Sequence, residues 1–104
     1  MRMLFIVACV LLAAPISGTA FAAEHTITIK NMKFGPVPSG LHVGDVIVWK
    51  NDDILRHTAT ARDKSFDVDL PPHSTKELTL KKAGTLAFYC RFHPGMTGTL
   101  VVAP

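Results

Sequence analysis

The sequence contains little cysteine, few aromatic residues and no apolar segment long enough to cross a membrane. Cysteine occurs twice in 104 residues, at Cys9 and Cys90, and aromatic side chains make up 8% of the chain. The eleven residues Leu4–Ala14 carry neither charge nor proline, but a membrane-spanning helix needs roughly 20. Basic residues exceed acidic ones by three and form no stripe interleaved with aromatics. Stable membrane insertion and a nucleic-acid-binding surface are therefore not expected.

The first 22 residues have the composition of a secretory signal peptide. Arg2 provides the positive charge that precedes the apolar segment, and Pro15 ends that segment. The small residues of Ala20-Phe21-Ala22 then match an A-x-A cleavage site. We therefore predict that residues 1–22 are a cleaved signal peptide, that residues 23–104 form one mature domain, and that this domain lies in the periplasm.

Such a cleavage would leave Cys90 as the one cysteine of the mature chain. An internal disulfide is then impossible, although the compartment is oxidising. The residue alone leaves two roles open. It could be a packing residue, since free cysteine is among the most buried residue types, or it could be a metal ligand.

Apolar residues alternate with a period of two along the predicted mature domain, which indicates β-strands. The alternating pairs are Ile27 and Ile29, Ile47 and Trp49, Leu78 and Leu80, and Leu86 and Phe88. Turn signals rich in glycine, proline, asparagine and aspartate separate these runs. No apolar stripe has helical spacing. About six or seven short strands at such intervals predict an all-β sandwich or small barrel.

A thiol, an imidazole and a thioether follow one another at equal spacing near the C-terminus. Cys90, His93 and Met96 are each three residues apart, and Pro94-Gly95 introduces a turn between the last two. A loop of this length can direct all three side chains at one point. A fourth ligand must come from elsewhere, and His57 opens another predicted strand directly after a polar turn.

These four side chains have the chemistry of a blue-copper electron-transfer site. Thiolate and thioether ligands suit Cu(I), and imidazole suits both oxidation states of copper. Zinc is less suitable, because its usual ligands do not include thioether sulfur. A cysteine–histidine hydrolase pair would need an orienting asparagine or aspartate, and the sequence offers no evident one.

Three segments make the sequence resemble the cupredoxins, the type I blue copper proteins, and within them the amicyanin/plastocyanin branch. They are Met32–Pro36, which resembles the first loop of the family; Leu41–Asn51, which resembles its apolar-x-x-G-D-x-V-x-W-x-N strand; and Gly84–Val102, which resembles its ligand strand, ligand loop and closing strand. The short spacing between His93 and Met96 is of the amicyanin kind.

The resemblance implies a Greek-key β-sandwich that binds one type I copper through His57, Cys90, His93 and Met96. It also implies that the backbone N–H of Thr58 points at the cysteine sulfur. The expected function is that of a periplasmic one-electron carrier rather than an enzyme. The chain would be a monomer that takes an electron from a donor such as a dehydrogenase and passes it to an acceptor such as a cytochrome. These redox partners would dock transiently near His93. Copper storage or delivery is the alternative.

Two features depart from the family pattern. The stretch between His57 and Cys90 is short, which predicts that a loop or edge strand is trimmed, and Ser39 stands where the family usually has an apolar residue. The remaining mature-chain histidines, His25, His42 and His73, are expected to be solvated strand or turn residues.

Overall fold

The computed structural model describes residues 22–104, together with residues 3, 6 and 8–10. The predicted signal peptide therefore lies largely outside the described residues, and its cleavage stays a prediction. Within the part of the chain that is described, no helix is long and apolar enough to cross a membrane.

The described residues form β-strands joined by turns and short links. In chain order the strands are β1 (Glu24–Lys30), β2 (Lys33–Phe34), β3 (Leu41–His42), β4 (Val46–Asn51), β5 (His57–Ala61), β6 (Asp67–Leu70), β7 (Thr75–Thr79), β8 (Gly84–Tyr89) and β9 (Thr97–Ala103). One sheet has the order β2-β1-β4-β7, and the other has the order β3-β9-β8-β5-β6. The chain changes sheet on both sides of β3, between β4 and β5, and on both sides of β7. The predicted all-β Greek-key sandwich is confirmed.

Two of the strand pairs are parallel and bring distant parts of the chain together. β1 lies parallel to β4, with Ile27 beside Trp49, and β3 lies parallel to β9, with Leu41 beside Val102. β7 is an edge strand of one sheet and β6 is an edge strand of the other. Both lie in the short stretch between the first histidine and the cysteine.

The alternation in the sequence identifies most of the core. Ile27, Ile29, Ile47, Trp49 and Phe88 are each fully buried. Trp49 meets Phe88 edge to face, with ring centroids 5.2 Å apart, an arrangement that aromatic pairs favour. The indole N–H of Trp49 has no hydrogen-bond partner among the described residues, so this ring contributes through packing.

The alternation is less reliable toward the edges of the sandwich. Leu80 is buried as predicted, but Leu78 on the edge strand β7 is only half-buried. Cys90 lies one residue beyond the end of β8 and is fully buried. Ser39, which departs from the family pattern, is exposed in the bend that precedes β3.

Gly98 is required by the packing of the closing strand. It lies opposite Phe88 in the β8–β9 pair, and a Cβ atom at this position would overlap the Phe88 ring. Because Phe88 is fully buried among other aromatic rings, the ring has little room to move. The start of β9, where Gly98 lies two residues after Met96, therefore depends on the absence of a side chain here.

Candidate metal centre

The four predicted ligands come from two places in one sheet. His57 is the first residue of β5, whereas Cys90, His93 and Met96 lie in the link between β8 and β9. Two backbone hydrogen bonds close this link. The Cys90 N–H donates to the Met96 carbonyl at 3.1 Å, and the Met96 N–H donates to the His93 carbonyl at 2.8 Å.

The structure brings three nitrogen and sulfur donors together at one end of the sandwich. The Cys90 Sγ lies 3.8 Å from the His57 Nδ1 and 3.6 Å from the His93 Nδ1. The two Nδ1 atoms are 3.2 Å apart. His57 and Cys90 are fully buried and His93 is half-buried. Among the described residues, these three are the group of histidine, cysteine and acidic side chains that could hold a metal ion.

Met96 belongs to the same end of the molecule. Its side chain is buried with 6% exposure, and its backbone is hydrogen-bonded to both Cys90 and His93. The structure thus places all four sequence-predicted ligands in one neighbourhood, with the thioether in the link that carries the thiol and one imidazole.

The cysteine sulfur already has a hydrogen-bond donor. The backbone N–H of Thr58 donates to the Cys90 Sγ at 3.3 Å, and both residues are fully buried. This contact confirms the role implied for Thr58 by the family resemblance. This hydrogen bond restrains the position of the sulfur beside the start of β5.

Asp53 is a site residue that the sequence reasoning missed. Its Oδ2 accepts a hydrogen bond from the His57 Nε2 at 2.8 Å and another from the Met32 backbone N–H at 3.0 Å. A carboxylate only accepts, so the proton of a neutral His57 ring is held on Nε2. The Nδ1 lone pair is then free toward Cys90, an arrangement that commonly supports a metal-bound histidine.

Both donors also act on Asp53 itself. The Met32 N–H, and after it the His57 ring, hold the pKa of the Asp53 carboxyl below its ordinary value. The carboxylate is therefore ionised at neutral pH. Asp53 follows two other polar residues in the turn Asn51-Asp52-Asp53, and the sequence does not show which of them faces the histidine.

Asn51 fixes the turn that carries this carboxylate. Its side-chain NH₂ donates to the carbonyls of Leu55, Leu70 and Pro71 at 2.9 to 3.2 Å. Its Oδ1 accepts from the Asp53 N–H at 2.9 Å. Because Asn51 is 1% exposed, these bonds are shielded from water, and the turn approaches His57 in one geometry.

The donor set fits copper. Two imidazoles, one thiol and one thioether are the ligands of a blue-copper site, and the Nδ1 and Sγ atoms already face one another within the distances given above. A zinc site would not ordinarily recruit a thioether. Four protein ligands would also leave no open position for a substrate, unlike a catalytic zinc centre.

Comparison with known proteins agrees with this reading of the site. The model of the cupredoxin-like domain matches residues 2–102. The chain belongs to this cupredoxin-like family. Among curated proteins, none has a sequence that matches the chain significantly.

Solved structures of cupredoxins resemble this one in fold. Amicyanin from Paracoccus versutus has 21% sequence identity and a TM-score of 0.63, and the similarity covers 80% of this chain and 82% of that chain. The reduced Cu(I) form at pH 4 of an amicyanin mutant has 29% identity and a TM-score of 0.59, covering 82% of this chain and 86% of that chain. The similarity to amicyanin expected from the sequence is confirmed.

One enzyme shares the fold. A copper-containing nitrite reductase from Thermus scotoductus matches 81% of this chain with a TM-score of 0.67 and 22% identity, but the match covers 23% of that chain. The cupredoxin fold thus occurs both in an independent small protein and as part of a larger enzyme.

The surface beside the site is apolar and carries two arginines. Phe92, which precedes His93, is 46% exposed, and Ile54 is 78% exposed in the turn after Asp53. The guanidinium groups of Arg56 and Arg91 lie 5.0 Å and 5.7 Å from the centre of the Phe92 ring. Each arginine also pairs with an aspartate of β6.

Proposed function

We propose that this cupredoxin is a periplasmic one-electron carrier in which His57, Cys90, His93 and Met96 hold a single copper ion. The observation that carries the proposal is the triangle formed by the Cys90 Sγ and the two histidine Nδ1 atoms, with sides of 3.2 to 3.8 Å. The bound ion would supply a Cu(II)/Cu(I) couple that can exchange one electron.

The site has a buried side toward the core and a partly exposed side toward the surface. Toward the core, His57 and Cys90 are fully buried, so water has no access there. Asp53 holds the His57 proton away from the donor atoms, and the Thr58 N–H donates to the Cys90 Sγ. The protein itself makes these contacts, and a site with preset donors needs little reorganisation when its charge changes.

Toward the surface, the half-buried His93 imidazole is the natural entry and exit point for the electron. Phe92 beside it is exposed, and so is Leu55 next to Arg56. Small apolar surfaces of this kind suit the weak, short-lived contacts of redox partners. We therefore infer that a donor and an acceptor dock here in turn, and that the chain itself catalyses no reaction.

Reconstitution with Cu(II) tests the proposal. The oxidised protein should show an intense visible band from thiolate-to-copper charge transfer, and Cys90→Ser should abolish it. His42→Ala, which replaces an exposed histidine outside the site, is the matched control and should leave the band intact. A wild-type protein that binds Cu(II) without a strong visible band would refute a blue-copper site.

A second measurement separates electron transfer from copper delivery. A carrier should be reduced and reoxidised repeatedly by a small redox mediator while it retains its copper against a competing chelator. Copper that leaves for the chelator during one redox cycle would instead favour storage or delivery.

A further inference from the structure

A closed ring of hydrogen bonds ties the residue after Cys90 to β5 and β6. The Arg91 N–H donates to the Thr58 Oγ1 at 2.8 Å, and the Thr58 and Thr60 hydroxyls lie 2.9 Å apart. The Thr60 hydroxyl donates to the Asp67 Oδ1 at 2.7 Å. The Arg91 Nε–H returns to the same Asp67 oxygen at 3.2 Å. Arg91 thus both begins and ends the ring.

The chemistry of Asp67 fixes the direction of every bond in this ring. A carboxylate only accepts, so the Thr60 proton must point at Asp67. The Thr60 oxygen is then available to accept, and the Thr58 hydroxyl donates to it. The Thr58 oxygen accepts in turn from the Arg91 N–H. Because each bond polarises the next, hydrogen bonds in such a chain strengthen one another.

The ring includes both buried and exposed side chains. Thr58 is fully buried and Thr60 is 8% exposed, so neither hydroxyl can exchange its partner for bulk water. The Asp67 and Arg91 side chains are 53% and 42% exposed. The ring therefore connects the buried backbone beside the thiol to a surface ion pair.

We propose that Thr60 and Asp67 are positioning residues for the Cys90 sulfur. Neither residue contacts the sulfur directly. They act through Thr58, which holds the cysteine from both sides. Its N–H donates to the Cys90 Sγ, and its hydroxyl accepts from the amide that follows Cys90. Fixing the Thr58 hydroxyl thus fixes the position of the sulfur under the Thr58 N–H.

Only the copper readout rests on the proposed function, because the ring is formed by the protein alone. The first test is amide hydrogen exchange in the metal-free protein. Thr60→Val keeps the side-chain shape but removes the hydroxyl, and it leaves the buried Thr58 hydroxyl without its acceptor. Because the buried hydroxyl then has no acceptor, the Arg91 and Thr58 amides should exchange roughly ten times faster.

Three comparisons make this result specific. Thr60→Ser retains a hydroxyl and should restore most of the protection. Thr99→Val removes a hydroxyl from an exposed position of β9 and should change neither amide. The amides of Phe88 and Leu100, in the core of the same sheet, report global unfolding, so faster exchange at Arg91 and Thr58 must exceed any change there.

The copper-loaded protein gives the second test. Thr60→Val and Asp67→Ala should both shift the visible band and the reduction potential in the same direction, and Thr60→Ser should shift them less. Unchanged protection of the Thr58 amide in Thr60→Val would overturn the proposal even if the Arg91 amide were loosened. The wild-type protein could fail to bind copper while Thr60→Val still shows the expected faster exchange at Arg91 and Thr58. That result would refute the proposed function but would support the positioning role of Thr60.

Discussion

Replacing Asp53 tests whether its carboxylate holds the His57 ring in position for metal binding. The Asp53 Oδ2 accepts from both the His57 Nε2 and the Met32 N–H. Asp53→Ala removes the acceptor and the charge together, whereas Asp53→Asn retains an acceptor oxygen and removes only the charge. Both changes act on the far side of the imidazole from the Nδ1 atom that faces Cys90.

The expected change in copper affinity can be estimated from the loss of one hydrogen bond to His57. Residues that hydrogen-bond the outer nitrogen of a metal-binding histidine typically change metal affinity 10- to 100-fold when replaced. His57 is fully buried, so water cannot replace the lost carboxylate. We expect copper affinity to fall about tenfold in Asp53→Asn and by up to about a hundredfold in Asp53→Ala. The reduction potential should rise in both, because a nearby negative charge favours Cu(II) over Cu(I).

Competition with a chelator of known affinity, combined with redox titration, measures both quantities. Asp52→Ala is the control, since it removes a neighbouring carboxylate whose contact is an exposed 3.9 Å pair with Lys50. If Asp52→Ala lowers the affinity and raises the potential as much as Asp53→Ala, the effect is one of overall charge. In that case the inferred role of the hydrogen bond to His57 is wrong.

The remaining predictions concern stability. Gly98→Ala should destabilise the metal-free protein by about 1–3 kcal/mol, because the added methyl group overlaps the buried Phe88 ring; Gly95→Ala, whose Cβ would meet nothing within 4 Å, should change the thermal midpoint little, and equal losses would contradict the steric argument. Acid should destabilise the protein partly through Asp45, whose pKa is held below 3.8 chiefly by the backbone N–H of His42. Since the folded value is the lower one, this stabilisation is present above about pH 4 and is lost as the pH falls below it. The urea midpoint of Asp45→Asn should therefore change less than that of the wild type between pH 7 and pH 3.

The ligands could be predicted from the sequence because three of them are close together in the chain. Their spacing and the turn between them limit the geometries available, so Cys90, His93 and Met96 had to lie near one another. His57 was a weaker inference from the residues, since it depends on β5 lying next to β8. Its position at the start of a predicted strand, directly after a polar turn, indicated this choice, and the family resemblance supported it.

The contacts that support the ligands could not be predicted in the same way. In the sequence nothing distinguishes Asp53 and Asp67 from the other four aspartates, and their roles arise only when a turn or an edge strand is placed against β5. β6, which carries Asp67, was not predicted, because its sequence Asp-Val-Asp-Leu contains a residue disfavoured in strands. The two-residue strands β2 and β3 are set by their partners, and no local signal encodes them.

The placement of three predicted ligands in the link between β8 and β9 also has a consequence for how the protein folds. These strands are adjacent in sequence, so closing the hairpin restrains only a short loop, whereas His57 must arrive from 33 residues before Cys90. The hairpin can therefore gather a thiol, an imidazole and a thioether before the sandwich is complete. Copper present at that stage would bind the hairpin. It would also stabilise the docked position of β5, because β5 carries the last imidazole. Folding with the metal present should then be faster than folding without it, and His57, the first of the four residues along the chain, would be the last to join the site.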